Sequence, residues 1–160
     1  MLLLTGASGF LGKIAFRVFS SKTNTVGLCH TNDYNGTFIP VELTERDSVF
    51  NVLNNLSPDI VVHSAACREP DLCEVKPDYT EKINVNAAKY ITDWCDKNNV
   101  PLIYISTDYV LDGLNPPYNE KDAVNPVNIY GKTKAVGESI VRQYPNHIII
   151  RIPLDRKSVV

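Results

Sequence analysis

Apolar and polar stretches change period along the chain. Leu2-Leu3-Leu4 is a short unbroken apolar run, the mark of a strand covered on both faces. Leu11, Ile14, Ala15 and Val18 then recur at helical spacing, predicting a helix from Phe10 to about Ser21. Thr25 to His30 predicts a second strand, and Phe38-Ile39-Pro40-Val41 a third, placed toward an edge by its proline. Val49, Val52, Leu53 and Leu56 mark the next helix, with Thr44 as N-cap and Asp47 in its first turn. Ile60-Val61-Val62 is a strand after the Ser57-Pro58-Asp59 turn, and Ile83, Ala87, Tyr90, Ile91 and Trp94 give a long helix ending near Asn98-Asn99. Pro101 to Ser106 reads as a strand, Leu111 to Pro126 as a loop rich in Gly and Pro. Ile129, Val136, Ile140 and Tyr144 mark a last helix before a strand at His147 to Ile152. Strands alternating with helices imply right-handed crossovers and an open, doubly wound parallel α/β sheet.

Composition narrows the class further. At 160 residues with 44% hydrophobic and 21% charged, the chain has one domain's length and enough apolar content for a core. The formal net charge of −2 comes without any cluster of basic residues, so no nucleic-acid partner is expected. No apolar run is long enough for a membrane span. Cys29, Cys67, Cys73 and Cys95 fall at irregular spacing without histidine partners, which argues against zinc and for free thiols in a reducing, cytoplasmic setting. No metal site is expected.

The first strand runs directly into Thr5-Gly6-Ala7-Ser8-Gly9-Phe10-Leu11-Gly12 and a helix follows. Small residues let the backbone turn sharply and approach a ligand, and the helix N-terminus offers free N–H groups to a pyrophosphate. The Gly-x-x-Gly-x-x-Gly spacing between strand and amphipathic helix therefore predicts dinucleotide binding by Gly6, Ser8, Gly9, Phe10, Leu11 and Gly12. The second strand ends Leu28-Cys29-His30-Thr31-Asn32, with Asp33 later. With no carboxylate at that strand end and His30 and Thr31 able to donate to a 2′-phosphate, NADP is favoured and NAD is the alternative. Tyr130 and Lys134 lie four apart on one helix face, where an ammonium would lower the phenol's pKa for proton exchange with a carbonyl oxygen.

The sequence is identified as a member of the dTDP-4-dehydrorhamnose reductase family, within the extended short-chain dehydrogenase/reductases. Besides TGASGFLG, the motifs are Val61-Val62-His63-Ser64-Ala65-Ala66, Ile83-Asn84-Val85-Asn86, Tyr104 to Gly113 and Tyr130-Gly131-Lys132-Thr133-Lys134 with Gly137-Glu138. The resemblance implies a Rossmann-like fold. It implies that Ala65 and Ala66 lie on the adenosine side of the cofactor, that Glu42 and Leu43 replace the family's Asp-Leu near the adenine, and that Lys134 also holds the nicotinamide ribose. It implies that Thr107 bonds the reacting carbonyl beside Tyr130 and Lys134, and that Asn84 is a helix-distorting structural residue. Asp108 and Tyr109 would face the substrate sugar, with core packing the alternative for Tyr109, while Trp94 and His63 read as structural.

Two kinds of member carry these motifs: reductases of a nucleotide-linked 4-keto sugar, and the regulatory beta subunit of methionine adenosyltransferase. Arg68-Glu69-Pro70-Asp71, Asn115-Pro116-Pro117-Tyr118 and Tyr130-Gly131-Lys132-Thr133-Lys134 resemble the latter but also occur in bacterial sugar-nucleotide reductases, and so leave the choice open. The expected partner is thus a nucleotide-sugar substrate or a methionine adenosyltransferase catalytic subunit, with an oligomer left open. The match runs to Pro153; Leu154 to Val160 departs from the family pattern. The expectation is a cofactor domain over residues 1–153, a divergent tail over 154–160, and a truncated chain lacking the C-terminal substrate lobe and exposing apolar surface near the final strand.

Overall fold

A computed structural model of the chain describes residues 1–31 and 36–153. Asp33 and the segment 154–160 lie outside the described residues.

Six parallel strands form one sheet in the order β3-β2-β1-β4-β5-β6. They are β1 (Leu2–Thr5), β2 (Thr25–Cys29), β3 (Ile39–Pro40), β4 (Ile60–His63), β5 (Leu102–Thr107) and β6 (Ile148–Ile152). β3 is two residues long and sits at the edge, where the missing Pro40 N–H costs no ladder bond. Among the described residues six α-helices accompany them: α1 (Phe10–Ser20), α2 (Arg46–Leu56), α3 (Pro70–Val75), α4 (Pro77–Glu81), α5 (Ala87–Lys97) and α6 (Ile129–Val141).

Alternation along the strands divides the core. Leu3, Leu28, Val61, Leu102 and Tyr104 face one layer, built with Val49 and Leu53 of α2, Ile91 and Trp94 of α5 and Val141 of α6. Leu2, Leu4 and Val62 face the other, where Ala15, Phe16 and Phe19 of α1 close over them. On that second face β6 is aligned with β5 so that Ile148 and Ile150 flank Ile103 and Ile105, and they are 54% and 41% exposed.

Four local expectations need correcting. On α1 the predicted stripe holds only at Ala15: Leu11, Ile14 and Val18 are exposed, and Gly12, Phe16 and Phe19 join Ala15 against the sheet. On α6, Val136 is 45% exposed, while the buried positions are Tyr130, Gly131, Thr133, Lys134, Gly137, Glu138 and Val141. The α2 N-cap is Glu45, without a side-chain cap; the Thr44 hydroxyl instead donates to Glu42 Oε1 at 2.7 Å. The segment read as one long helix from Ile83 begins with a π-helical turn, Lys82–Asn86, and only then becomes α5. Asn84, fully buried in that turn, fits its assignment as the distorting residue. The sequence reading did not include α3 and α4, each opened by a proline at its N-terminus.

Candidate functional site

The carboxyl ends of β1, β2 and β4 open onto a cavity of about 350 Å³, whose lining does not include Thr107, Tyr130 or Lys134. One wall is the turn between β1 and α1, where Gly6 has φ +69°. A Cβ there would stand 2.8 Å from the Ala65 backbone, and one on Gly12 would stand 2.0 Å from the Gly6 carbonyl oxygen. Only glycine allows strand and helix to approach this closely. α1 starts at Gly9 with no side-chain cap and no acidic residue in its first turn. Its leading amides lack intrahelical acceptors by geometry, so the cradle presents donors and a positive dipole end to an anion. This is the fit expected for a dinucleotide pyrophosphate.

Gly6, Ser8, Gly9, Phe10, Leu11 and Gly12 line the cavity with His30, Leu43, Ala65 and Ala66. Cys29, Ser64, Cys67, Arg68, Glu69, Leu72, Tyr79 and Ile83 line it too. Arg68 and Glu69 belong to the motif that resembles the regulatory subunit, and Leu72 and Tyr79 to the short helices α3 and α4, too brief to show a periodic apolar face. Thr31 and Glu42 are exposed outside this lining. Glu42 changes the electrostatics assumed for the ribose end: its Oε2 lies 3.2 Å from His30 Nε2, so a carboxylate from beyond β3 does stand beside the end of β2. Its pKa is held below 4.5, first by the Thr44 hydroxyl and then by the Thr44 amide.

Thr107 ends β5, 1% exposed. Its hydroxyl donates to Asp108 Oδ1 at 3.1 Å and accepts from the Tyr109 amide at 3.2 Å. Tyr130, 6% exposed, stacks edge-on against Tyr109 at 5.6 Å between ring centroids. Burial pushes the Tyr130 phenol above 10, and contact with the Thr107 hydroxyl pulls the other way. The expected depression by Lys134 is not what this geometry provides. Lys134 is 2% exposed; its Nζ donates to the Ile105 carbonyl oxygen at 2.7 Å and lies 3.9 Å above the Tyr104 ring. Burial lowers its pKa to about 7, against the pull of Glu138.

Polar contacts fix these parts relative to one another. Asn84 Oδ1 accepts from the Cys67 amide at 2.8 Å, and its Nδ2 donates to the Cys67 carbonyl at 3.0 Å and to Thr133 Oγ1 at 3.0 Å. Glu74 accepts from the Ile129 amide and Asn128 caps Gly131, holding the start of α6. Glu138 accepts from Arg151 Nε at 2.8 Å and Nη2 at 2.7 Å. His63 Nδ1 pairs with Thr5 Oγ1 at 2.7 Å, while its Nε2 has no partner among the described residues; burial lowers its pKa to about 3, keeping the ring neutral.

Sheet order, helix disposition and the glycine cradle together define a Rossmann-like domain. The chain belongs to the RmlD substrate binding domain family, whose profile matches residues 1–154. It is 38% identical over 154 residues to methionine adenosyltransferase 2 subunit beta of Danio rerio, covering 96% of this chain and 47% of that protein. A hypothetical dTDP-4-dehydrorhamnose reductase of Sulfolobus tokodaii superposes with a TM-score of 0.89 at 31% identity, over 95% of this chain and 55% of that one. The dTDP-4-dehydrorhamnose reductase of Bacillus anthracis, solved in complex with NADP, gives 0.83 at 29% identity, over 95% and 52%. The chain thus spans about half the length of the relatives it matches. Among the described residues no helix is long and apolar enough to cross a membrane.

Proposed function

We propose that the chain binds NADP(H), with NAD(H) as the alternative, along the Gly6–Gly12 cradle and forms the cofactor half of a reductase for a nucleotide-linked 4-keto sugar. The observation that carries this reading is the uncapped N-terminus of α1 opening onto a glycine-walled cavity at the carboxyl edge of the sheet. The bound nicotinamide supplies the hydride. Tyr130, kept protonated by burial, gives its phenolic proton to the carbonyl oxygen as C4 is reduced to the alcohol. Thr107 hydrogen-bonds the same oxygen and orients it. Lys134, with a pKa near neutrality, replenishes that proton or holds the nicotinamide ribose once its amine leaves the Ile105 carbonyl. Titration with NADPH and NADH, followed by assay with a dTDP-4-keto sugar, tests the reading. Binding without oxidation of NADPH by the sugar leaves the cofactor assignment standing and removes the reductase.

A second reading is a dinucleotide-binding regulatory subunit for a methionine adenosyltransferase catalytic subunit. It is favoured by the 38% identity to the Danio rerio protein and by a Lys134 amine engaged away from Tyr130. Co-elution with that catalytic subunit, with and without NADP(H), distinguishes the two.

A further inference from the structure

Two cysteines face each other at the cavity, one in its wall and one behind it. Cys67 follows Ala66 along its floor, and Cys73 of α3 points back at it, the two sulfurs 3.5 Å apart. Cys67 is 8% exposed and Cys73 is fully buried; both are free thiols. No group of metal-ligating side chains surrounds them among the described residues. A disulfide needs sulfurs at ~2.05 Å, so closure asks for an approach of roughly 1.5 Å.

The direction of that movement follows from the bonds around the pair. The Cys67 backbone is pinned through both its N–H and its C=O by Asn84, so α3 must yield. α3 also carries Leu72, which lines the cavity, and Glu74, which holds the first amide of α6. Drawing α3 inward therefore displaces part of the cavity wall and loads the start of the helix that carries Tyr130.

We propose that Cys67 and Cys73 are an oxidisable dithiol that closes to an intramolecular disulfide under a peroxide and thereby weakens dinucleotide binding in the adjoining cavity. The coupling rests on the reading of that cavity as a dinucleotide site. The Cys67 thiolate attacks the peroxide, forming an S–O bond as the O–O bond breaks and giving a sulfenic acid and hydroxide. The Cys73 sulfur then attacks the Cys67 sulfur; the S–S bond forms, the S–O bond breaks, and the departing hydroxide leaves as water with the Cys73 proton. Two thiols lose two electrons and two protons, and the peroxide becomes two waters. Cys67 lines the cavity while Cys73 is fully buried behind it, its thiol pushed up to about 11 by burial, so a peroxide entering the cavity meets Cys67 and Cys73 takes the resolving step. Linkage makes the effect reciprocal: a cavity that binds dinucleotide less well when oxidised must resist oxidation when dinucleotide is bound.

The test uses the whole 160-residue chain, reduced and freed of reductant. NADP+ affinity is measured by calorimetry before and after hydrogen peroxide treatment, with thiols blocked and peptides mapped by mass spectrometry. The expected product has lost two hydrogens, links Cys67 to Cys73, and leaves Cys29 and Cys95 as blocked thiols. NADP+ binding falls about tenfold or more, returns with dithiothreitol, and saturating NADP+ slows formation of the link. Cys73→Ala should keep its NADP+ affinity through peroxide treatment and accumulate a sulfenic acid at Cys67 that dimedone traps. If circular dichroism shows that variant unfolded, Cys67→Ala serves the same purpose, its affinity now insensitive to peroxide. Absence of the link, a link with unchanged affinity, or an affinity loss that persists in the alanine variant overturns the proposal. Reduced protein that fails to bind NADP+ overturns the cavity reading and the coupling with it, while peptide mapping still decides the dithiol.

Discussion

Replacing Lys134 by methionine should stabilise the ligand-free protein, and the gain should depend on pH. The side chain is 2% exposed, its amine held by one carbonyl oxygen and the face of Tyr104. Burial lowers its pKa from 10.5 to about 7, and at about 1.4 kcal/mol per pH unit that difference withholds roughly 5 kcal/mol. The sign follows from the cation. Below pH 7 the amine is charged in both folded and unfolded chains, so the cost is complete. Between about 7 and 10.5 the folded state sheds the proton that the unfolded state retains, and stability climbs with pH. Methionine matches the length of the stem and carries no charge. Losing the hydrogen bond and the ring contact returns about 1–3 kcal/mol. The net gain near pH 6 is then about 2–4 kcal/mol, or roughly 5–15 °C in Tm. Thermal melts of wild type and Lys134→Met at about pH 6, 8 and 10 read this out directly, and the gap should close toward the alkaline end. A gap that ignores pH, or a variant less stable at pH 6, would refute the account of Lys134 as a residue held against its solvation.

Gly9→Asp should leave the fold intact, since its Cβ meets only the Gly6 carbonyl at 3.2 Å, yet abolish NADP+ binding by placing a carboxylate against the pyrophosphate; calorimetry beside circular dichroism checks both halves. Gly12→Ala, whose Cβ would fall 2.0 Å from the same oxygen, should instead lose about 3 kcal/mol or more of stability in urea titration. In the reductase reading, Tyr130→Phe should lower kcat by about 100-fold or more with NADPH affinity nearly unchanged, and a Phe variant with normal turnover would place the acid elsewhere. Glu138→Ala strips the buried partner from Arg151 and should cost about 3–5 kcal/mol. Burial acts to raise the Glu138 pKa, but Arg151 and the other donors hold it below 4.5. The pair's contribution is therefore present above about pH 4.5 and fades as pH falls through that lowered value, which acid titration of wild type and variant compares.

The architecture was legible because the strands are short apolar runs and because α2 and α5 carry clean stripes. Val49 and Leu53 on one, Ile91 and Trp94 on the other, pack where their spacing places them. α1 and α6 misled for opposite reasons. α1 has apolar residues on more than one side, so its periodicity could not tell Ile14 and Val18 from Phe16 and Phe19, and the sheet took the aromatic side. α6 buries Thr133, Lys134 and Glu138, which a search for apolar periodicity assigns to solvent. The glycine cradle was readable from spacing because strand, turn and helix are contiguous there. The His30–Glu42 contact and the Cys67–Cys73 pair were not, because each depends on how separate segments meet.

The misreading of α6 also indicates where the fold gives up stability. A helix that pairs with the sheet through Tyr130, Lys134 and Glu138 gains little from apolar burial along that face and depends on hydrogen bonds for its placement. Asn84 reaches it through Thr133, Glu74 and Asn128 hold its first turn, and Arg151 fixes its third. Two of the elements that supply those anchors, the π-helical turn before α5 through Ile83 and α3 through Leu72, also line the cavity, while β6 lies outside its lining. The position of Tyr130 is therefore set by the same polar contacts that shape the wall facing the dinucleotide cradle. Among the buried polar residues, Thr5, His63, Ser106 and Thr107 lie at the carboxyl ends of β1, β4 and β5, where open α/β sheets place their ligands.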